Sequence, residues 1–297
     1  MSTALKDFQI ELGGIVLGHG TSIPIAEVEG LGRAAVRGEL VSRPGADGVW
    51  AGADWYDART IRIDCAIKTP GDPAAARQIL ADLQEAADAA SVRTEPGATM
   101  PLRIKWPGSP TRVVFGRLRR LEPSWEQAAF GWIPLDVEFA ATDPRFYEDT
   151  VSSLTLSLSS RGLGGLKAPL VAPLNTGTSV PDERRGMVRN DGRMPAWPTI
   201  RITGPVISPR IYMPKTGALL ELGVSLATGE RIDIETRPGT RWALRNGSEN
   251  VASSLSGASR LDGFQIPPGS TELWWTARGY SSASRLAVTW RSAHIAL

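Results

Sequence analysis

One stretch of this chain carries a helical period, and nearly everything else that is periodic alternates with period two. Asp72 stands where a helix cap accepts an N–H, and Pro73 follows at the first helical position, where a missing N–H costs nothing. Ala76, Ile79, Leu80, Leu83, Ala87 and Ala90 then recur at three- and four-residue spacing, with Arg77, Asp82, Gln84, Glu85 and Asp88 on the other side. This predicts a helix over 73–91 with a single apolar stripe. Burying Ile79, Leu80 and Leu83 contributes roughly 5–8 kcal/mol at about 1.5–3 kcal/mol each, so the helix has to lie on a sheet.

The strands around it supply that sheet. Phe8-Gln9-Ile10-Glu11-Leu12 alternates, Gly13-Gly14 can turn the chain, and Ile15-Val16-Leu17 resumes it, which predicts a hairpin. Residues 40–58 hold Pro44, Gly45, Gly48 and Gly52 among acids and aromatics and read as a long irregular connection. Arg59 to Lys68 follows as a strand with Ile61, Ile63, Cys65 and Ile67 on one face. Leu102–Trp106 and Arg112–Leu121 are two more, joined by Pro107-Gly108-Ser109-Pro110. In the last strand of this half, Ile133, Leu135, Val137 and Phe139 alternate with polar positions, and Pro134 predicts an edge or a bulge there.

Beyond residue 149 the character changes. Leu154, Leu156 and Leu158 alternate with Ser and Thr, and Gly162-Leu163-Gly164-Gly165 and three prolines follow. An exposed loop is then expected around Asn175–Arg185. From Trp197 onward short alternating runs recur every 8–12 residues, and Arg245-Asn246-Gly247-Ser248 is a strong hairpin turn. The expected fold is therefore mainly β with one inserted helix (α+β). Residues 1–148 form an N-terminal β-sandwich-like domain, 149–189 a crossing strand and linker loop, and 190–297 a C-terminal β-sandwich of jelly-roll or galectin-like kind.

Composition narrows the functional classes. At 297 residues, 42% of them hydrophobic and 22% charged, the chain is globular and long enough for two domains. Its net charge of +2 comes from interspersed signs, which argues against a duplex-binding surface and sequence-specific nucleic-acid recognition. One cysteine, Cys65, excludes an internal disulfide and any cysteine-rich zinc site. No run approaches 18 apolar residues, and no export signal is legible at the N-terminus, so neither a membrane span nor a leader is expected.

Catalytic groups are scarce. The two histidines, His19 and His294, lie at opposite ends of the chain, and no Gly-x-Ser-x-Gly elbow, HExxH or CxxC is present. Asp54 and Asp57 flank Trp55-Tyr56, a pairing that suits either two catalytic carboxylates or turn caps beside interface aromatics. The glycines at 162–165 lack the GK[ST] of a phosphate loop. Ten tryptophans are many for this length. If 271–277 is a strand, one of Trp274 and Trp275 faces outward, where it could stack on a sugar.

The order of motifs resembles the distal tail protein family of long-tailed, non-contractile (siphovirus-type) phages. Phe139-Ala140-Ala141-Thr142-Asp143-Pro144-Arg145-Phe146-Tyr147 carries part of the resemblance. Gly48, Gly52 and Asp54 ahead of the Arg59 strand carry another part. The third is Pro195-Ala196-Trp197-Pro198 leading through Ile200–Pro205, Thr216-Gly217 and Gly229-Glu230 to Ile232-Asp233-Ile234.

The resemblance implies an N-terminal ring-forming domain joined to a galectin-like sandwich. It also implies a homo-hexameric ring at the tail tip of the virion, assembled in the host cytoplasm. That ring would join the tail tube protein to a hub or tail-associated lysin, and to receptor-binding proteins, around the genome channel. On this reading the protein is structural and not an enzyme, without cofactor or metal, and Trp50, Asp54, Trp55 and Tyr56 are the candidate subunit-interface residues. The alternative is a carbohydrate-binding module contacting the host surface. Against it, the His-x-Asn-x-Arg and Trp-x-x-Glu-x-Arg strands of a galectin sugar site are missing, since Trp274-Trp275-Thr276-Ala277-Arg278 lacks the glutamate.

Overall fold

The computed structural model describes residues 4–158 and 184–297. The chain forms two compact units, Met1–Asp149 with Ala293–Leu297, and Thr150–Ser292.

The first unit is built on a nine-stranded antiparallel sheet. Its main path runs Ile15–Gly18, Gln9–Leu12, Met100–Lys105, Arg112–Pro123, Trp132–Ala141, Arg59–Lys68, Ile25–Glu29. Phe146–Glu148 pairs with the start of Arg112–Pro123 and also with Ala293–His294, which brings the end of the chain back to this unit. The helix Pro73–Ala87 begins as its cap residues predict, with Asp72 Oδ1 accepting from Ala75 N at 2.9 Å. Ala76, Leu80, Leu83 and Ala87 are buried with Ile61, Ile63, Ile67, Ile133, Val137 and Phe139 of the sheet. Asp72→Ala should lower stability by about 1 kcal/mol, read as a shift in the urea midpoint.

The helix stops short of residue 91. Ala87 is the last buried residue of the stripe and Ala89 is extended (φ −67°, ψ 107°). A separate short helix, Ala90–Thr94, then starts on an exposed alanine. Pro134 likewise sits elsewhere than expected, in an interior strand of the sheet. Its carbonyl accepts from Ser124 N at 2.9 Å, just beyond the last paired residues Pro123 and Leu135. The proline nitrogen therefore faces Ser124 at the end of the ladder, where only the terminal bond of the pairing goes unmade. The bulge lies instead in the neighbour, between Leu118 and Arg120.

Gly13 and Gly14 make the predicted hairpin turn with φ of 59° and 89°. A methyl group on Gly13 would lie 2.3 Å from Ala86 O, so the helix also depends on this glycine. Cys65 is buried in the core, where its thiol is pushed up to about 12, first by desolvation and then by Asp64 and Asp136. A folded-state pKa above the unfolded one stabilises below the unfolded value and loses that stabilisation as pH rises toward the folded value. Between about pH 9 and 12 the thiol should thus remove roughly 1.4 kcal/mol per pH unit. Thermal melts of Cys65→Ala should show a shallower alkaline decline than the wild type.

The second unit is a β-sandwich. A six-stranded sheet runs Ser152–Ser157, Arg285–Trp290, Thr199–Thr203, Arg231–Glu235, Trp242–Arg245, Glu249–Asn250. A four-stranded sheet runs Arg184–Asn190, Gly269–Thr276, Arg210–Met213, Ala218–Glu221. Ile200, Ile202, Ile232, Ile234, Leu286 and Val288 of the first sheet are fully buried, as are Leu273, Trp275, Ile211, Met213 and Leu220 of the second. Asn246 and Gly247 take φ of 51° and 82° in the expected hairpin turn.

This unit starts at Thr150, within the span 149–189 expected to hold a crossing strand and a linker loop. Ser152–Ser157 and Arg184–Asn190 are strands of its two sheets, and a methyl on Gly186 would meet Leu154 Cδ2 at 2.6 Å. Arg184 and Arg185 are therefore strand residues; the rest of the predicted loop, from Asn175, and the glycines at 162–165 lie outside the described residues.

Candidate functional site

Between Gly30 and Arg59 the first unit extends a chain segment that is exposed over most of its length. It is a paired ribbon rather than an irregular connection. Val36–Arg37 pairs with Trp55–Tyr56, and Leu40–Ser42 with Val49–Ala51. The backbone pairing continues between them through Gly52 N to Glu39 O at 2.9 Å, and at the base through Asp57 N to Ala35 O at 2.8 Å. Gly45 and Gly48, with φ of 69° and 91°, close the tip.

From residue 35 to 58 every residue except Tyr56 is exposed. The apolar ones are large. Leu40, Trp50 and Trp55 are 68%, 60% and 66% exposed, and Val36, Val41 and Val49 are exposed with them. Val41 and Trp50 are partners in the ladder and share a face, while Leu40 and Val49 fall on the other. A two-stranded ribbon is at best marginally stable alone in water, and bare apolar side chains on both its faces mark an interaction site.

The sequence-predicted residues Trp50, Asp54, Trp55 and Tyr56 all lie on this arm. Trp50 and Trp55 point to solvent, and Tyr56 is half-buried, with the Arg33 guanidinium 5.7 Å from its ring centroid. Asp54 lies against Gly38, where a methyl group would come within 2.1 Å of Asp54 Oδ1. Asp57 Oδ1 accepts from Ala58 N at 2.8 Å. The two carboxylates thus sit on an exposed ribbon beside its own backbone.

The root of the arm is held by residues whose roles the sequence did not disclose. Arg59 is buried, and its Nη1 donates to Gly30 O at 2.6 Å and Gly32 O at 2.5 Å. Its Nε and Nη2 donate to Pro144 O at 3.3 and 3.2 Å, and the guanidinium lies 4.4 Å from the Phe146 ring centroid. Burial lowers the Arg59 pKa, and the carbonyl acceptors offset the desolvation.

Asp143 holds the opposing turn, accepting from Arg145 N at 3.1 Å and from the Tyr147 hydroxyl at 2.6 Å. Desolvation, followed by the Asp143 charge, keeps the Tyr147 hydroxyl protonated well above its ordinary range. The Asp143-Pro144-Arg145-Phe146-Tyr147 run therefore works as the clamp on the arm's root.

On the second unit, Trp275 is fully buried and Trp274 faces outward. Arg185 and Tyr212 are its partners on the strands to either side. The Arg185 guanidinium lies 4.5 Å from the Trp274 ring centroid, and Tyr212 meets the ring edge-on at 5.7 Å. Trp274 is thus a half-buried ring packed between its two cross-strand neighbours. His19 is exposed in its turn, and His294 Nε2 lies 3.2 Å from Glu148 Oε1. Among the described residues, no group of three or more His, Cys, Asp or Glu could hold a metal ion, and no helix is long and apolar enough to cross a membrane.

No family model and no curated protein matches the sequence. Solved structures do match. The Dit protein of phage SPP1, described as a paradigm of the hub adsorption apparatus in phages that infect Gram-positive hosts, aligns over 97% of this chain and 99% of its own, at 15% identity and a TM-score of 0.61. This is the fold of a phage distal tail protein. A chain of the phage P2 baseplate, in its activated conformation with Ca, shares this fold over 95% of this chain and 97% of its own. The identity there is 11% and the TM-score 0.55. A second P2 baseplate structure, with Sr, gives 12% and 0.55. The distal tail fold thus spans both units.

Proposed function

We propose that the protein is a structural component of a phage tail tip. Copies close into a six-membered ring that joins the tail tube to hub and adsorption proteins around the genome channel. The observation that carries this reading is the bare apolar arm at residues 35–58, on a fold shared along its whole length with hub and baseplate proteins of phages. An arm of this kind meets a different surface on the next copy, and such head-to-tail contacts close into rings when the rotation allows. Trp50, Trp55 and Tyr56 bury against the neighbour, while Asp54 shapes the ribbon that presents them. The role is scaffolding without catalysis, and the flanked Trp274 gives no support to the carbohydrate-binding reading.

Gold-labelled antibody against the chain should decorate the distal end of intact tails. Label confined to capsids, or absent from virions that contain the protein, would contradict the proposal.

A further inference from the structure

The nine-stranded sheet ends on Ile25–Glu29, which pairs with Arg59–Lys68 on one side and, among the described residues, with no strand on the other. Pro24 O accepts from Ala66 N at 3.1 Å, so the even-numbered residues of Arg59–Lys68 turn their backbone groups toward this edge. Glu27 and Glu29, opposite Asp64 and Arg62, use theirs in the ladder. Val28 between them is left with its N–H and C=O on the free side. A bare edge of this kind is a template for one more strand.

A groove of about 450 Å³ opens beside that edge, lined by Ile25, Ala26 and Val28 of the strand and by Phe8 and Trp106. Phe8 takes φ 62°, a conformation that bulky side chains rarely adopt. Its ring stays 49% exposed and meets Trp106 edge-on at 5.3 Å. The strain holds out an aromatic ring that the core does not use.

Two cross-strand rows set the charge that a further strand needs. In one, Glu122, Asp136, Asp64 and Glu27 lie side by side across four strands, and like charges placed directly opposite destabilise a sheet. Arg120, 3.0 Å from Asp136, answers one of them. In the next row Arg120, Glu138, Arg62 and Glu29 alternate in sign. Both rows end on a carboxylate of the edge strand. Neither Glu27 nor Glu29 has a cation on its carboxylate among the described residues.

A strand with a basic residue opposite each would relieve the first row and continue the alternation of the second. Its residue opposite Val28 falls on the other face, where Ile63 is buried, and has to be apolar. This chain's exposed ribbon does not meet that description. Residues 35–58 hold Arg37 and Arg43 against Glu39, Asp47, Asp54 and Asp57, two cations against four carboxylates.

We propose that an extended segment of a different protein, basic and apolar in alternation, adds to the sheet at Ile25–Glu29. Its basic residues lie opposite Glu27 and Glu29, and its apolar ones pack at Val28 beside Phe8 and Trp106. The inference does not depend on ring closure, because it concerns another surface and another partner.

Hydrogen exchange on the full chain, at a concentration where it is monomeric, tests this with a synthetic peptide of alternating lysine and valine. With the peptide at about ten times its Kd, exchange at the Val28 amide should slow about tenfold. A peptide of alternating glutamate and valine should leave it unchanged. Glu27→Lys with Glu29→Lys alters two exposed side chains and should swap the preference, so that the glutamate peptide protects and the lysine peptide does not. Protection by neither peptide, by both alike, or by the lysine peptide in wild type and variant equally would overturn the proposal. So would a Val28 amide that is protected at high chain concentration without peptide and released on dilution, because a second copy then occupies the edge.

Discussion

Trp50→Ala with Trp55→Ala should leave a folded monomer under conditions where the wild type is expected to form the proposed ring. Both side chains are exposed and contribute little to the core, so the double variant should unfold within about 0.5 kcal/mol of the wild type. Across an interface the same side chains are the residue type whose truncation commonly costs 2 kcal/mol or more each. Losing about 4 kcal/mol per contact weakens each contact roughly a thousandfold, and a ring repeats that loss at every joint. Sedimentation at micromolar concentration, paired with a urea titration, separates the two effects. A ring that persists with both tryptophans removed would place the subunit contacts elsewhere.

Arg59→Ala should cause the largest loss of stability among the substitutions considered. Its guanidinium ties Gly30, Gly32 and Pro144 together from a buried position and stacks on Phe146. Hydrogen bonds to a charged group contribute about 1.5–3 kcal/mol each, less than additively, and the abandoned carbonyls stay partly buried. A loss of about 3 kcal/mol is expected. Arg59→Lys should recover only part of it, because an ammonium cannot fork to acceptors on two sides. Equal urea midpoints for Arg59→Ala and the wild type would show that the clamp carries no stability.

What could be read from the residues was whatever is encoded locally. The helix followed from Asp72, Pro73 and the spacing of Ala76, Leu80 and Leu83, and the turns from Gly13-Gly14 and Asn246-Gly247, because capping and positive φ are demands of single positions. Trp50, Trp55 and Tyr56 stood out as aromatics in a polar stretch. Their ribbon did not, since a ladder exposed on both faces leaves no alternating pattern to detect. The Arg59 clamp was hidden for a different reason. Its acceptor at Pro144 is 85 residues away and is a backbone carbonyl, which any residue type could offer. The return of Ala293–His294 to the first unit was illegible on the same grounds, as two residues carry no period.

The acidic row across Glu122, Asp136, Asp64 and Glu27 shows how local residues become a charged surface only through register. Each of the four looks like an ordinary solvated strand residue in the sequence. The pairing sets them side by side, at an electrostatic cost the sheet tolerates because Arg120 and solvent screen part of it.

The central claim is self-assembly into a closed ring, and native mass measurement with negative-stain imaging of the purified chain tests it most directly. Six copies of the 31.8 kDa chain, about 191 kDa in all, forming particles with a central hole, are the predicted result. A single 31.8 kDa species at every concentration, with no ring in the images, would contradict it.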